Sequence, residues 1–190
     1  MINRLPRIAK NLLLSAGFDL RLKTDDRRVL ESLIFPFFIG DHQCRRVLFV
    51  GCDWYTAAYP ALFRGKDFWT IEIDATRRRY GASQHIADSV TNLRSHFSPA
   101  TFDLIICNGV IGYGVDDAML VEKTFEEMAY CLNPGGILII GWNTLPGKIL
   151  PEPADSAVLR QLSRFIFPPL GTSDYLTANP NRHTFSFFRK

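Results

Sequence analysis

Four consecutive strand formers, Val47, Leu48, Phe49 and Val50, run without polar alternation into Gly51. That is how a strand buried on both faces of a parallel sheet reads. A glycine closing such a run lets the backbone turn sharply and approach a ligand. In an open α/β sheet, the crevice outside the carboxyl end of the strand is where a nucleotide-like ligand sits. Later apolar runs stop at hydrogen-bonding residues in the same way: Phe68–Ile73 at Asp74, His85–Ala87 at Asp88, Phe102–Cys107 at Asn108-Gly109, and Ile137–Ile140 at Gly141-Trp142-Asn143. The first turn lacks the further glycines that usually follow, since Cys52, Asp53, Trp54 and Tyr55 come next.

These runs alternate with helical patterns, which predicts βαβ units and a parallel sheet. Short helices are expected at 56–63, 75–80 and 89–97. The longest helix is capped by Asp116 or Asp117 and carries the stripe Val121, Phe125, Met128, Ala129 and Leu132. Asn133-Pro134-Gly135-Gly136 stops it. A further helix is expected over 154–167, then strands at 175–178 and 183–188 forming an antiparallel hairpin. Ahead of the sheet, Leu5, Ile8 and Leu12 mark an amphipathic helix. Thr24-Asp25 opens a second, with Val29, Leu30, Leu33, Ile34, Phe37 and Phe38, bent at Pro36 and ended by Gly40. Residues 1–44 read as a helical appendage, either packed on the sheet or serving as a lid, and residues 45–190 as the main domain.

With 190 residues, 47% of them hydrophobic and 13% aromatic, the chain suffices for one domain with a large core. The net charge of +3 lies entirely in residues 1–40, with seven Lys/Arg against four Asp/Glu. So small a surplus disfavours a nucleic-acid partner. Cys44, Cys52, Cys107 and Cys131 form no CxxC pair and sit mostly beside apolar runs, so reduced buried thiols in a cytoplasmic protein are expected rather than disulfides or a metal site. No run has the length of a membrane span.

Five βα units, a helix and a terminal hairpin over about residues 45–190 resemble the class I S-adenosylmethionine (SAM)-dependent methyltransferases. The most specific pieces are Phe102-Asp103-Leu104-Ile105-Ile106-Cys107-Asn108 and Leu132-Asn133-Pro134-Gly135-Gly136-Ile137-Leu138. The resemblance implies a Rossmann-like three-layer α/β sandwich whose seven-stranded sheet has the order 3-2-1-4-5-7-6, with strand 7 antiparallel. It implies SAM as cofactor and a small-molecule or undetermined methyl acceptor. Gly51, with Cys52 and Asp53 in its turn, would lie under the methionine moiety, and Asp74 would grip the ribose hydroxyls. A carboxylate about 20 residues beyond the glycine suits a diol. Glu72, on the same strand face, is the alternative if the strand is shorter. Asp88 matches the acid that reaches the adenine, and Asn108 and Gly109 the place where sulfonium and nucleophile meet. Asn108 and Tyr113 are the catalytic candidates, and Tyr113, Asp116, Trp142 and Asn143 the substrate-side ones.

The departures are informative. Where the family has an acid followed by Gly-x-Gly-x-Gly, this chain keeps only Gly51, and Trp54 and Tyr55 either line a reshaped pocket or fill it. Asn108-Gly109-Val110-Ile111 stands in place of Asn-Pro-Pro-Tyr, which argues against methylation of nucleic-acid bases. A catalytically inactive binding or scaffolding module on the same fold is the alternative reading. A Rossmann oxidoreductase would need a glycine at position 53 and leaves the hairpin unexplained.

Overall fold

The computed structural model describes residues 5–144 and 151–190. One sheet runs β3-β2-β1-β4-β5-β8-β6, with β7 also paired to β8. Its strands are β1 (Arg46–Val50), β2 (Asp67–Ile71), β3 (Gln84–Ile86), β4 (Phe102–Asn108), β5 (Leu132–Asn143), β6 (Ser163–Arg164), β7 (Asp174–Leu176) and β8 (His183–Arg189). The first five pair in parallel and β8 runs antiparallel to β5. This is the Rossmann-like order that the resemblance implies, with eight strands in place of seven. β6 and β7 both pair with β8, at Arg189–Phe188 and Ser186–Thr184 respectively, so its outer partner is broken in two.

The helices are α1 (Arg7–Ser15), α2 (Asp25–Val29), α3 (Phe35–Gly40), α4 (Tyr59–Leu62) and α5 (Ala118–Cys131). Asp117 caps α5, its Oδ1 accepting from Met119 N at 2.8 Å. The stripe Val121, Phe125 and Met128 then buries against one face of the sheet, with Leu48, Ile105 and Leu138. The opposite face, with Phe49, Ile106, Ile139, Phe185 and Phe187, is covered by Val29, Leu30, Ile34, Phe35 and Phe38. Phe35 packs edge-on against Tyr59 and Phe63 at 4.8 and 4.9 Å. Residues 30–34 between α2 and α3 wind as a π-helical turn immediately ahead of Pro36. A proline lacks the N–H for the i−4 bond and crowds that carbonyl, and the wider turn accommodates it.

Three expectations are corrected. The segments at 75–80 and 90–95 are 3-10 turns rather than α-helices. Residues 154–167 hold two short 3-10 turns and β6, not a helix. The apolar side chains buried there are Leu159 and Phe167, while of the helically spaced Val158, Leu162, Phe165 and Ile166 the last is 64% exposed, so the helical spacing does not mark the buried set. The open edge of β8 offers that segment ladder hydrogen bonds instead. Finally, β2 ends at Ile71 and not at Ile73, which leaves the strand end three residues ahead of Asp74.

Candidate cofactor site

A cavity of about 90 Å³ opens at the carboxyl ends of β1, β2 and β4. Its floor is the Gly51 turn. Gly51 has φ +87°, and a Cβ there would stand 2.9 Å from Val110 Cγ2, so both backbone conformation and space require glycine. Gly51 N donates to Ile71 O at 2.9 Å, joining the ends of β1 and β2. Glu72 follows immediately. It is 8% exposed and lines the cavity. Its Oε2 accepts from Cys52 N at 2.9 Å and its Oε1 from Asp74 N at 3.0 Å. One carboxylate therefore ties the glycine turn to the end of β2 and keeps oxygen lone pairs for a further donor. Cys52 is buried beside it, its thiol pushed up to about 12 by burial, so it stays protonated and inert.

Asp74, two residues on, is differently placed. Its Oδ1 accepts from Thr76 N at 2.9 Å and Thr76 Oγ1 at 2.6 Å, and its carboxylate pairs with Arg77 at 3.2 Å and Arg7 at 3.7 Å. It caps the 75–80 turn and does not line the cavity. The Thr76 hydrogen bonds hold its carboxyl below the ordinary range. The acid at the strand end is thus Glu72, because the ladder stops at Ile71. Asp53 likewise caps its own turn, accepting from Trp54 N at 2.7 Å, and lies outside the cavity wall. Asp88 does line it, with Oδ1 accepting from Ser89 N at 2.7 Å and Oδ2 2.7 Å from His96 Nε2; the His96 contact leads the groups that hold its carboxyl low.

Asn108 and Gly109 form the β4 side of the cavity. Gly109 takes φ +73° to make the turn. Tyr113, 57% exposed, also lines it, and its hydroxyl accepts from Asn143 Nδ2 at 3.2 Å. Asp116, Trp142 and Asn143 do not reach the wall. Trp142 Nε1 instead donates to Ser186 Oγ at 3.0 Å, and Asn143 Oδ1 is 2.8 Å from His183 Nδ1.

The two large rings of the first turn divide. Trp54 turns away from the cavity to lie under the Lys10 ammonium of α1, 4.1 Å from its ring centroid. Tyr55 lines the cavity, with the Arg27 guanidinium stacked on it at 4.7 Å. Arg27, from α2, is 6% exposed, and its Nη1 donates to Tyr59 Oη at 3.1 Å. Together Arg27 and Tyr55 roof the site. The cavity is smaller than the roughly 300–1,000 Å³ of ordinary small-molecule sites.

Residues 50–140 match the family model described as a methyltransferase domain. The sheet order and the site at the carboxyl ends of its parallel strands agree with that match. The chain has the fold of the class I methyltransferases. It is similar to the TehB-like SAM-dependent methyltransferase of Corynebacterium glutamicum, at 18% identity over 96% of this chain and 95% of that one, with a TM-score of 0.60. It is also similar to the N-methyltransferase NodS of Bradyrhizobium japonicum in complex with S-adenosylhomocysteine, at 18% identity over 95% and 98%, TM-score 0.58. A third is the 1,6-didemethyltoxoflavin-N1-methyltransferase of Burkholderia thailandensis with bound 1,6-didemethyltoxoflavin and S-adenosylhomocysteine, at 14% identity over 98% and 91%, TM-score 0.50. No curated protein sequence matches the chain. Likeness at these identities is likeness of fold.

Two buried residues, Arg27 on the cavity wall and His183 behind it, escape motif reading. Arg27 stands at helical spacing with Leu30 and Ile34, so its position on the buried face was legible from periodicity. His183 alternates with Phe185 and Phe187 on β8, and that period of two signals burial. Among the described residues no group of His, Cys, Asp and Glu could hold a metal ion, and no helix is long and apolar enough to cross a membrane.

Proposed function

We propose that this chain is a SAM-dependent methyltransferase acting on a small molecule, with Gly51, Cys52, Glu72, Asp88, Asn108 and Gly109 holding the cofactor. The observation that carries the reading is Glu72, a buried carboxylate bonded to the backbone of the glycine turn and facing the cavity. When bound, the cofactor supplies a methyl group made electrophilic by its sulfonium. Glu72 would accept from the ribose hydroxyls, a charged acceptor making the stronger hydrogen bonds. Asp88, fixed by Ser89, Asn92 and His96, presents its carboxylate at the adenine end. The Gly51 and Gly109 turns let backbone approach where side chains would clash. The stacked Arg27 and Tyr55 would shield a bound cofactor from water, and alignment of the acceptor would provide most of the rate. Asp53 and Asp74 act as turn caps, and Tyr113 and Asn143 sit on the acceptor side. The roof also suits the competing reading, an inactive module on the same fold.

Calorimetric titration with S-adenosylhomocysteine distinguishes the two. The cofactor reading expects saturable binding, weakened at least tenfold in Glu72→Gln, the loss of one charge-assisted hydrogen bond. Absence of binding by the wild-type chain at millimolar ligand would overturn it.

A further inference from the structure

Helix α1 turns its polar side to the domain and its apolar side to solvent. The Lys10 ammonium lies 4.1 Å over the Trp54 ring, Asn11 Oδ1 accepts from Tyr80 Oη at 2.5 Å, and Arg7 stands 3.7 Å from the Asp74 carboxylate. Residues three and four apart share a helix face, so these contacts seat one side of α1 on the 54–56 and 75–80 turns. Ile8 and Leu12, four apart on the other side, are 75% and 66% exposed, whereas Lys10 is only 7% exposed. A helix packed on a core keeps its apolar stripe inward. The stripe of α1 is therefore not explained by packing within the domain.

Further apolar and basic groups border that stripe. Phe18, just beyond the C-cap Ala16, is 59% exposed, and Ile73, next to the Asp74 that Arg7 reaches, is exposed as well. Phe18 and Arg79 line one cavity between α1 and the 75–80 turn, together with Asn11 and Tyr80. Arg79 belongs to the run Arg77-Arg78-Arg79. Arg77 is engaged by Asp53 and Asp74 at 3.6 and 3.2 Å. Arg78 and Arg79 are exposed and enter no ion pair among the described residues. The nearby acids Asp19 and Asp74 are matched by Arg21 and by Arg7 and Arg77, so the face is left with a cationic surplus.

We propose that this face docks on an anionic lipid bilayer, with Ile8, Leu12 and Phe18 inserted at the headgroup boundary and Arg78 and Arg79 against the lipid phosphates. The inference does not depend on the cofactor reading. A helix lying in the interface plane sinks its apolar face roughly 5–10 Å into the headgroup region, and cations beside it add attraction to anionic lipids. Both features are present here, and the domain uses neither. A protein partner fits less well. Four partly exposed apolar side chains fall short of the roughly 800 Å² per partner that a stable protein interface buries, whereas insertion among lipids needs no complementary surface. A second copy of the same face would set the arginines of one chain against those of the other, which like-charge repulsion disfavours.

Flotation of the full-length protein with vesicles tests this. Vesicles of equimolar phosphatidylcholine and phosphatidylglycerol should bind the protein, and phosphatidylcholine alone should bind it at least about tenfold more weakly. Added salt should weaken binding to the anionic vesicles as the Debye length shrinks. Ile8→Ser combined with Leu12→Ser should lower partition onto them by about tenfold or more, through the loss of the inserted side chains. Arg78→Gln combined with Arg79→Gln should lower it by a similar factor. All four side chains are exposed, so both variants should keep the wild-type urea midpoint, which separates lost docking from lost folding. No binding of the wild-type chain to anionic vesicles, equal binding to neutral and anionic ones, or unchanged binding in the Ile8→Ser/Leu12→Ser protein would overturn the proposal. A wild-type dimer that becomes monomeric in that variant would assign the face to a second copy, and a lowered urea midpoint there would assign the stripe to packing within the chain; either result overturns lipid docking.

Discussion

The two sides of the cavity treat their polar groups in opposite ways. At the ends of β1, β2 and β3, Glu72, Asp74 and Asp88 each accept at least one backbone N–H. At the ends of β4 and β8, Asn108 and the Nε2 of His183 bond to nothing. The first side is complete without a ligand, because its carboxylates also brace the turns that shape it. The second leaves buried polar side-chain atoms without a hydrogen-bond partner. Bracing makes a pocket rigid, and unmet demand does not.

This contrast can be broken most easily at Glu72. Glu72→Leu deprives Cys52 N and Asp74 N of their shared acceptor and should cost about 3 kcal/mol or more in urea unfolding, the sum of two bonds to a charged group. Asn108→Ala, which breaks no hydrogen bond, should leave the urea midpoint near that of wild type. Equal losses in the two variants would erase the distinction.

A comparable but pH-limited effect is expected at His183. Its folded value is depressed to about 4, so below the ordinary histidine range the unfolded chain takes up a proton that the folded chain refuses. Stability should therefore be unaffected above about pH 6.5 and fall as pH drops toward 4, by on the order of 3 kcal/mol. Denaturant titrations of wild type and His183→Gln across that window measure it, and parallel curves would mean that the imidazole is not held neutral. The smallest effect is expected at Asp74, an exposed cap. Asp74→Ala should lower the melting temperature slightly and leave affinity for S-adenosylhomocysteine unchanged. A large loss of affinity there would restore Asp74 as the ribose ligand in place of Glu72.

Much of this architecture was legible beforehand. The unbroken run Val47–Val50 and its successors announced a parallel sheet, since only strands buried on both faces dispense with polar alternation. Asn133-Pro134-Gly135-Gly136 marked the end of the longest helix, although the structure carries those residues in the first part of β5, which begins at Leu132 directly after the helix. The site was read less evenly. Gly51, Asp88, Asn108, Gly109 and Tyr113 line the cavity as their places at strand ends suggested, whereas Asp74, Asp53 and Asp116 lie off its wall. Asp74 lies off the wall because the strand stops at Ile71: Ile73 reads in sequence as one more strand residue but is 70% exposed. Helical spacing likewise misled over 154–167, where the exposed edge of β8 outweighed local preference.

What the sequence alone determined is whatever depends on neighbours along the chain: the strand runs, the positive-φ glycine turn at 51, the cap at Asp117 and the period-two burial of His183, Phe185 and Phe187. What the tertiary structure decided is whatever depends on residues far apart in the chain meeting at one point. Trp54 leaves the cavity because Lys10 receives it, Tyr55 stays because Arg27 stacks on it, and Asn108 meets His183 only because β5 lies between them with a glycine at the crossing. A local pattern can state that a side chain is buried. Which groups it faces is set by strand order and register, and those are settled only when the sheet closes.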